Sequence, residues 1–268
     1  MFFCIYICKF STFYIQNFSY FDFANIYLCM KKITIITNSI ILCFFVALSI
    51  IAMPFKSTTV VSKTNPNVIY FGNKQNNNVS FMVNVYWGNE YIEDMLDVFD
   101  LYNIKTTFFF GGSWVAKNID LAKEIYKRGH EIGNHGYNHK DQNKLSKQQN
   151  EDEIMMTHKI VLANLGIEMN LFAPPSGAYD DELVEIATNL NYKTIMWTHD
   201  TIDWRDKNTN LIVKRATQKL SNGDLILMHP TKNTLEALSQ ILSFAKNNGF
   251  NPTTVSKTID ANSLILNT

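Results

Sequence analysis

Gly129-His-Glu-Ile-Gly-Asn-His135-Gly-Tyr-Asn-His139 is the stretch on which the rest of the chain turns. It opens with a short segment of strand character, His130 to Ile132, and closes on two imidazoles four positions apart. That spacing lets both rings reach one metal ion. Gly129 follows Lys127-Arg128, the basic end of an amphipathic stretch, as a helix C-cap does. A helix therefore ends, a strand runs, and a candidate metal pair stands directly after the strand.

The same punctuation repeats on both sides. Apolar runs at Val79 to Val85, Thr106 to Phe110, Leu171 to Ala173, Thr194 to Trp197 and Leu225 to Met228 alternate with amphipathic stretches. Those stretches include Tyr91 to Tyr102, Val115 to Tyr126, Glu151 to Leu165, Asp180 to Leu190, Leu211 to Leu220 and Thr234 to Lys246. The alternation predicts about seven β/α units and an α/β fold, as one parallel barrel or a doubly wound sheet. His135 and His139, Pro174-Pro175, Asp203-Trp204 and His229 each fall just after a predicted strand. In parallel α/β folds that edge is where sites are built.

Composition bounds the function. The 268 residues are 46% hydrophobic and carry 24 charges of each sign, so nothing in the balance points to nucleic acid or anionic lipid. All four cysteines, Cys4, Cys8, Cys29 and Cys43, precede the β/α region, which leaves that region without disulfides or thiolate ligands. Lys31-Lys32 precedes an uncharged run from Ile33 to Met53, long enough to cross a bilayer as a helix. It reads as a membrane anchor or signal peptide over 33–53. The small-residue pattern of a cleavage site is poor, which favours the anchor, and the positive-inside rule puts the carboxyl-terminal part outside the cytoplasm. Residues 1–29 read as a non-native extension with Met30 as the natural start, 56–78 as a polar linker, 79–250 as the domain and 251–268 as a tail.

Taken in order, Asn84 to Gly88, His135-Gly-Tyr-Asn-His139, Phe172-Ala-Pro-Pro-Ser-Gly177, Asp200-Thr-Ile-Asp-Trp204 and Leu227-Met-His229 resemble the five motifs of the polysaccharide deacetylase family. This is the NodB homology domain of carbohydrate esterase family 4, and the resemblance spans about residues 79–250, nearest to its sporulation-associated branch. It implies an irregular (β/α) barrel that removes acetyl groups from chitin-like or peptidoglycan sugars with zinc or another divalent metal. It further implies that His135 and His139 are metal ligands, that His229 is the general acid and that Asp203 orients it. Leu227 would form the acetyl-methyl pocket and Trp204 an apolar wall. Pro175 would keep a rigid turn, and the Ser176 backbone N–H would serve an oxyanion hole.

The chain departs from the pattern on one side. The family's base and third metal ligand are an Asp pair, and Asn84 and Val85 stand in their places. An amide cannot take the proton from water. The Arg that braces the base is Ala173 here, so charge and counter-charge are lost together and no buried ion is stranded. Glu90 is the first candidate for a replacement base, with Asp94 and Asp200 behind it, although an acidic residue in a first helical turn is also what the helix dipole favours. The expected function is therefore metal-dependent deacetylation of N-acetylated cell-wall glycan. The alternative is a glycan-binding pseudoenzyme, with Trp204 and Tyr179 as sugar-stacking platforms, and a purely structural envelope protein is the third reading.

Overall fold

The computed structural model describes residues 20–52 and 65–260, and the chain divides into two units, 1–62 and 63–268, each taken by itself. The first contains one helix, α1 (Tyr20–Ala52). Its stretch Tyr27–Phe45 has mean hydropathy 1.6 over 19 residues. At 1.5 Å per residue this reaches about 28 Å, close to the thickness of a bilayer core. By length and composition it is a candidate span or signal. Lys31 and Lys32 lie inside α1 rather than ahead of it, and the helix runs back past Met30 into the segment read as an extension. Residues 1–19, and the linker residues up to 64, lie outside the described residues.

The second unit runs β1 (Val68–Ile69), β2 (Asn78–Val85), α2 (Asn89–Leu101), β3 (Thr107–Phe110), α3 (Gly112–Lys117), α4 (Ile119–Lys127), β4 (Glu131–Asn134), α5 (Lys147–Leu165) and β5 (Leu171–Phe172). It continues with α6 (Asp181–Asn189), β6 (Lys193–Ile195), β7 (His199–Asp200), α7 (Thr209–Thr217), β8 (Leu225–Met228), α8 (Lys232–Asn247), β9 (Asn251–Pro252) and α9 (Val255–Ile259). Eight strands line up as β1-β6-β5-β4-β3-β2-β8-β7, β9 pairs with β2, and all these pairings are parallel. This is the expected α/β fold, a curled parallel sheet of the irregular-barrel type.

The two ends of that path come back together. β6 leads into β7, at the opposite end, through only Met196 to Thr198, a step of at most about 14 Å. An antiparallel bridge from Phe71 to Asp224 also ties the strand after β1 to the start of β8. The two-residue strands β1 and β9 lie in segments read as linker and tail, and they are too short to show a periodicity. Both belong to the domain, which begins by residue 65 and extends through α9.

Alternation along β2 sorts its side chains. Val79, Phe81, Val83 and Val85 join a large apolar cluster with Ile92, Met95, Leu96 and Phe99 of α2. Met82 instead joins Phe109, Leu171, Ala173, Ile195, Leu225 and Leu227 in a second cluster. Every residue of β2 is buried, as expected of a strand covered on both faces. The carboxyl ends of β2, β4, β5, β7 and β8 open above the second cluster.

Local signals fix the helices around that opening. Ser146 caps α5 in a reciprocal capping box with Gln149, and Gly166 ends it at φ 72°. Gly88 precedes α2 at φ 84°, and a Cβ there would stand 2.0 Å from the Pro230 carbonyl oxygen. Only glycine lets the β2–α2 turn approach the β8–α8 turn so closely.

Candidate functional site

The sheet's carboxyl edge encloses a cavity of about 410 Å³ lined by Asn84, Tyr86, Trp87, His135, His139, Ser176, Trp197, Asp200, Trp204, Leu227 and His229. Residues from five predicted motifs therefore meet in one place. Strand register explains the meeting: Met82 is level with Leu227, and Asp200 is also level with Leu227. Asn84 thus stands at the height of His229.

The His229 side is fully wired. The Asp203 carboxylate, whose side chain is 0% exposed, accepts the His229 backbone N–H at 2.7 Å and pairs with His229 Nδ1 at 2.8 Å. It also accepts the Thr234 hydroxyl at 2.5 Å. With Nδ1 held by the carboxylate, the other ring nitrogen is left for the cavity, the arrangement a general acid needs. Trp87 lies parallel to the His229 ring, 6.0 Å between centroids and 7° between planes. The close turn contact at Gly88 holds it there.

The opposite wall carries the histidine pair. His135 is buried with Nδ1 2.7 Å from the Ala173 carbonyl oxygen. Burial, and then the neighbouring His139, push its pKa down to about 3, and burial also lowers that of His139. Both rings are thus neutral, the form that ligates metal. They stand 5.0 Å apart, and Tyr86 stacks on His139 at 4.3 Å and 17°.

Two donors do not make a zinc centre. Among the described residues no group of three His, Cys, Asp or Glu side chains could hold a metal ion, whereas catalytic zinc takes three protein ligands plus water. Val85, which stands at the third-ligand position, is fully buried in the larger apolar cluster and is not among the lining residues. The set present does not fit a complete site.

Several assignments shift on contact with the structure. Glu90 sits exposed in the first turn of α2, in a neighbouring groove with Asn89, Trp114 and Lys117, so it does not reach the cavity. Helix-dipole preference accounts for it. The carboxylate that does line the cavity is Asp200, whose pKa burial raises while its Oδ1 accepts the Ile202 N–H at 2.7 Å. Tyr179 is turned aside: its hydroxyl pairs with that of Tyr70 and its ring packs in the core, so it offers no stacking platform at the cavity. Pro175 is buried against Gly136 and is not among the lining residues. Ser176 does line it, with a left-handed φ of 56°. Ala173 sits in the apolar inner cluster, so the floor under Asn84 holds no counter-charge there.

Other residues escaped notice. Glu153 of α5 accepts the backbone N–H groups of Tyr137 at 2.8 Å and Asn138 at 2.6 Å and so pins the loop between the two histidines. Burial opposes its ionisation, but these N–H donors outweigh that and lower its pKa. An acidic residue on the same helix face as Ile154, Thr157 and Val161 was its signal. Tyr86 and Trp87 stand inside the first motif and Trp197 three positions ahead of the fourth, and only the fold shows that these aromatics converge.

The match to known proteins agrees with this layout. The polysaccharide deacetylase family model matches residues 72–195. The uncharacterized protein YlxY of Bacillus subtilis is 39% identical over 210 residues, covering 78% of this chain and 66% of that protein. A peptidoglycan-N-acetylglucosamine deacetylase of Bacillus cereus is 33% identical over 173 residues, covering 62% of this chain and 81% of the relative. Among solved structures, BA3943 from Bacillus anthracis, a pseudoenzyme of carbohydrate esterase family 4, superposes with TM-score 0.71 at 36% identity, covering 74% of this chain and 71% of that one. A BA3943 mutant with restored enzymatic activity matches with the same TM-score at 34% identity, covering 74% and 73%. The chain belongs to the polysaccharide deacetylase family, the NodB homology group of carbohydrate esterase family 4.

Proposed function

We propose that the domain works on N-acetylated cell-wall glycan, of the peptidoglycan or chitin-like kind, as a polysaccharide deacetylase-type hydrolase with a weakened water-activating half. The observation that carries this reading is the Asp203–His229–Thr234 network opening into a cavity shared with Leu227, Trp204 and the histidine pair. That network would protonate a departing amine or alcohol, and the Ser176 backbone would face the acetyl oxygen. Support comes from the B. cereus relative, named a peptidoglycan-N-acetylglucosamine deacetylase. In this reading α1 anchors or exports the domain so that it meets its glycan outside the cytoplasm, and a role in sporulation is the family branch's contribution. A divalent ion, zinc in the resembled family, would rest on His135 and His139, one protein ligand short, so its affinity is low.

One observation favours a second reading. Asn84 and Val85 supply neither base nor third ligand, and the BA3943 neighbour is itself a pseudoenzyme. The domain would then bind glycan without turning it over. Acetate release from N-acetylchitotetraose and from peptidoglycan by the full chain, with and without added zinc, decides between them. Release that chelator abolishes supports the hydrolase, while binding without release leaves the pseudoenzyme.

A further inference from the structure

One carboxylate in the cavity has no part in the chemistry proposed above. Asp200 is partly exposed, lines the opening and stands level with Leu227, two positions ahead of His229 on the neighbouring strand. Its Oδ1 accepts the Ile202 N–H at 2.7 Å, whereas its Oδ2 has no hydrogen-bond partner among the described residues. The nearby cations are committed elsewhere. Arg215 pairs with Asp206 at 2.6 Å and donates to the Thr201 carbonyl at 3.0 Å, Arg205 pairs with the same Asp206 at 2.9 Å, and neither lysine nor arginine lines the cavity. Burial accordingly raises the Asp200 pKa, and the fields of His229 and Arg215 do not offset it. A half-buried charge of this kind calls for a partner.

The walls favour a cation in that role. Tyr86, Trp87, Trp197 and Trp204 line the same cavity, and Tyr86, Trp87 and Trp204 remain 40%, 39% and 56% exposed. Aromatic faces attract ammonium groups through the ring quadrupole. His229 adds an acceptor, because a neutral ring that donates Nδ1–H to Asp203 keeps a lone pair on Nε2. We propose that the cavity holds the free amine of a de-N-acetylated amino sugar: its ammonium donates to Asp200 Oδ2 and His229 Nε2, with the aromatic walls facing the charge. An acetamido nitrogen and a hydroxyl are both neutral, so neither supplies the counter-charge that Asp200 lacks. Such a ligand is made by N-deacetylation of the glycan, in this cavity or by another enzyme. The site therefore retains a product rather than selecting a substrate.

This inference rests on the glycan reading above but not on turnover. The test is calorimetric titration of the full-length chain in detergent at about pH 6, where aliphatic amines are protonated. The ligands are the tetramer of β-1,4-linked glucosamine, N-acetylchitotetraose, cellotetraose and, as an amine without a sugar, lysine methyl ester. The unaltered protein should bind the free-amine tetramer at least about tenfold more tightly than each of the other three. Asp200→Asn and Asp200→Ser both keep an acceptor for the Ile202 N–H, and each should cut that preference about tenfold while cellotetraose affinity and the melting temperature hold. Full preference retained in both variants overturns the role of Asp200. Equal or tighter binding of N-acetylchitotetraose by the unaltered protein overturns the amine assignment and leaves the glycan reading standing, and equal binding of lysine methyl ester overturns the sugar as the source of the amine. No binding of any tetramer overturns the glycan reading itself.

Discussion

Val85→Asp is the most demanding test of whether residue 85 limits metal binding at the histidine pair. In the resembled family this position supplies the third ligand, and here its side chain is fully buried in the cluster that includes Val83, Phe110, Trp114 and Val115. Without metal the change removes an apolar side chain worth about 1.5–3 kcal/mol of burial and leaves a carboxylate without a partner. A combined loss of about 3–5 kcal/mol follows, comparable to breaking a buried ion pair. For a domain of this size that is a fall in Tm of roughly 10 °C. Zinc should reverse much of it: a ligand at 100 times its Kd returns about 2.7 kcal/mol. Scanning calorimetry of the variant with chelator and with zinc reads both effects, and the unaltered chain should show little zinc response. A variant that melts at the same temperature with zinc as with chelator would show that residue 85 cannot complete a site with His135 and His139.

Three other outcomes follow from the network around the cavity. Asp203→Asn should lower stability by about 2–3 kcal/mol, because three donors lose a charged acceptor; a melting temperature within 2 °C of the unaltered chain, roughly the error of comparing two melts, would contradict the wiring. Glu153→Gln should lower the hydrogen-exchange protection factors of the Tyr137 and Asn138 amides about tenfold, and acid should lower the same factors once the slower intrinsic exchange is divided out. Because the folded pKa of Glu153 is depressed, its contribution is present above the unfolded value and is lost as pH falls through the folded one. His130, packed between Phe99 and Phe108, is pushed down to about 4 by burial, with Lys105 adding to it. The unfolded chain therefore takes the proton first, and about 2 kcal/mol of stability should vanish between pH 7 and pH 5. His130→Leu should flatten that slope in urea titrations, and an unchanged slope would assign the acid loss elsewhere.

Much of this arrangement was legible because strand ends carry their own punctuation. Apolar runs followed by histidine, Pro-Pro or Asp-Trp announced the parallel sheet and its functional edge, and register then set Asn84 at the height of His229 and Asp200 at the height of Leu227. β1 and β9 stayed hidden because two residues cannot display a period, and their place depends on partners more than a hundred residues away. Glu90 misled for a different reason: nearness in sequence to Asn84 does not survive the turn at Gly88, which sends the helix away from the cavity. Tyr179 failed likewise, since its hydroxyl finds Tyr70 across 109 positions. Glu153 reaches the histidine loop from 15 and 16 positions away, a contact that only the docking of α5 creates.

The division of the cavity into an intact and an altered half has an electrostatic logic. On the β8 side the Asp203 carboxylate keeps three donors, so its burial remains compensated and any single replacement there would leave polar groups stranded. On the β2 side the corresponding requirement has vanished on both partners at once: Asn84 is neutral, and Ala173 lies in an apolar cluster that needs no anion above it. The compensated half is thus held by its own folding energetics, whereas the altered half carries no buried charge that would resist a neutral residue at position 84.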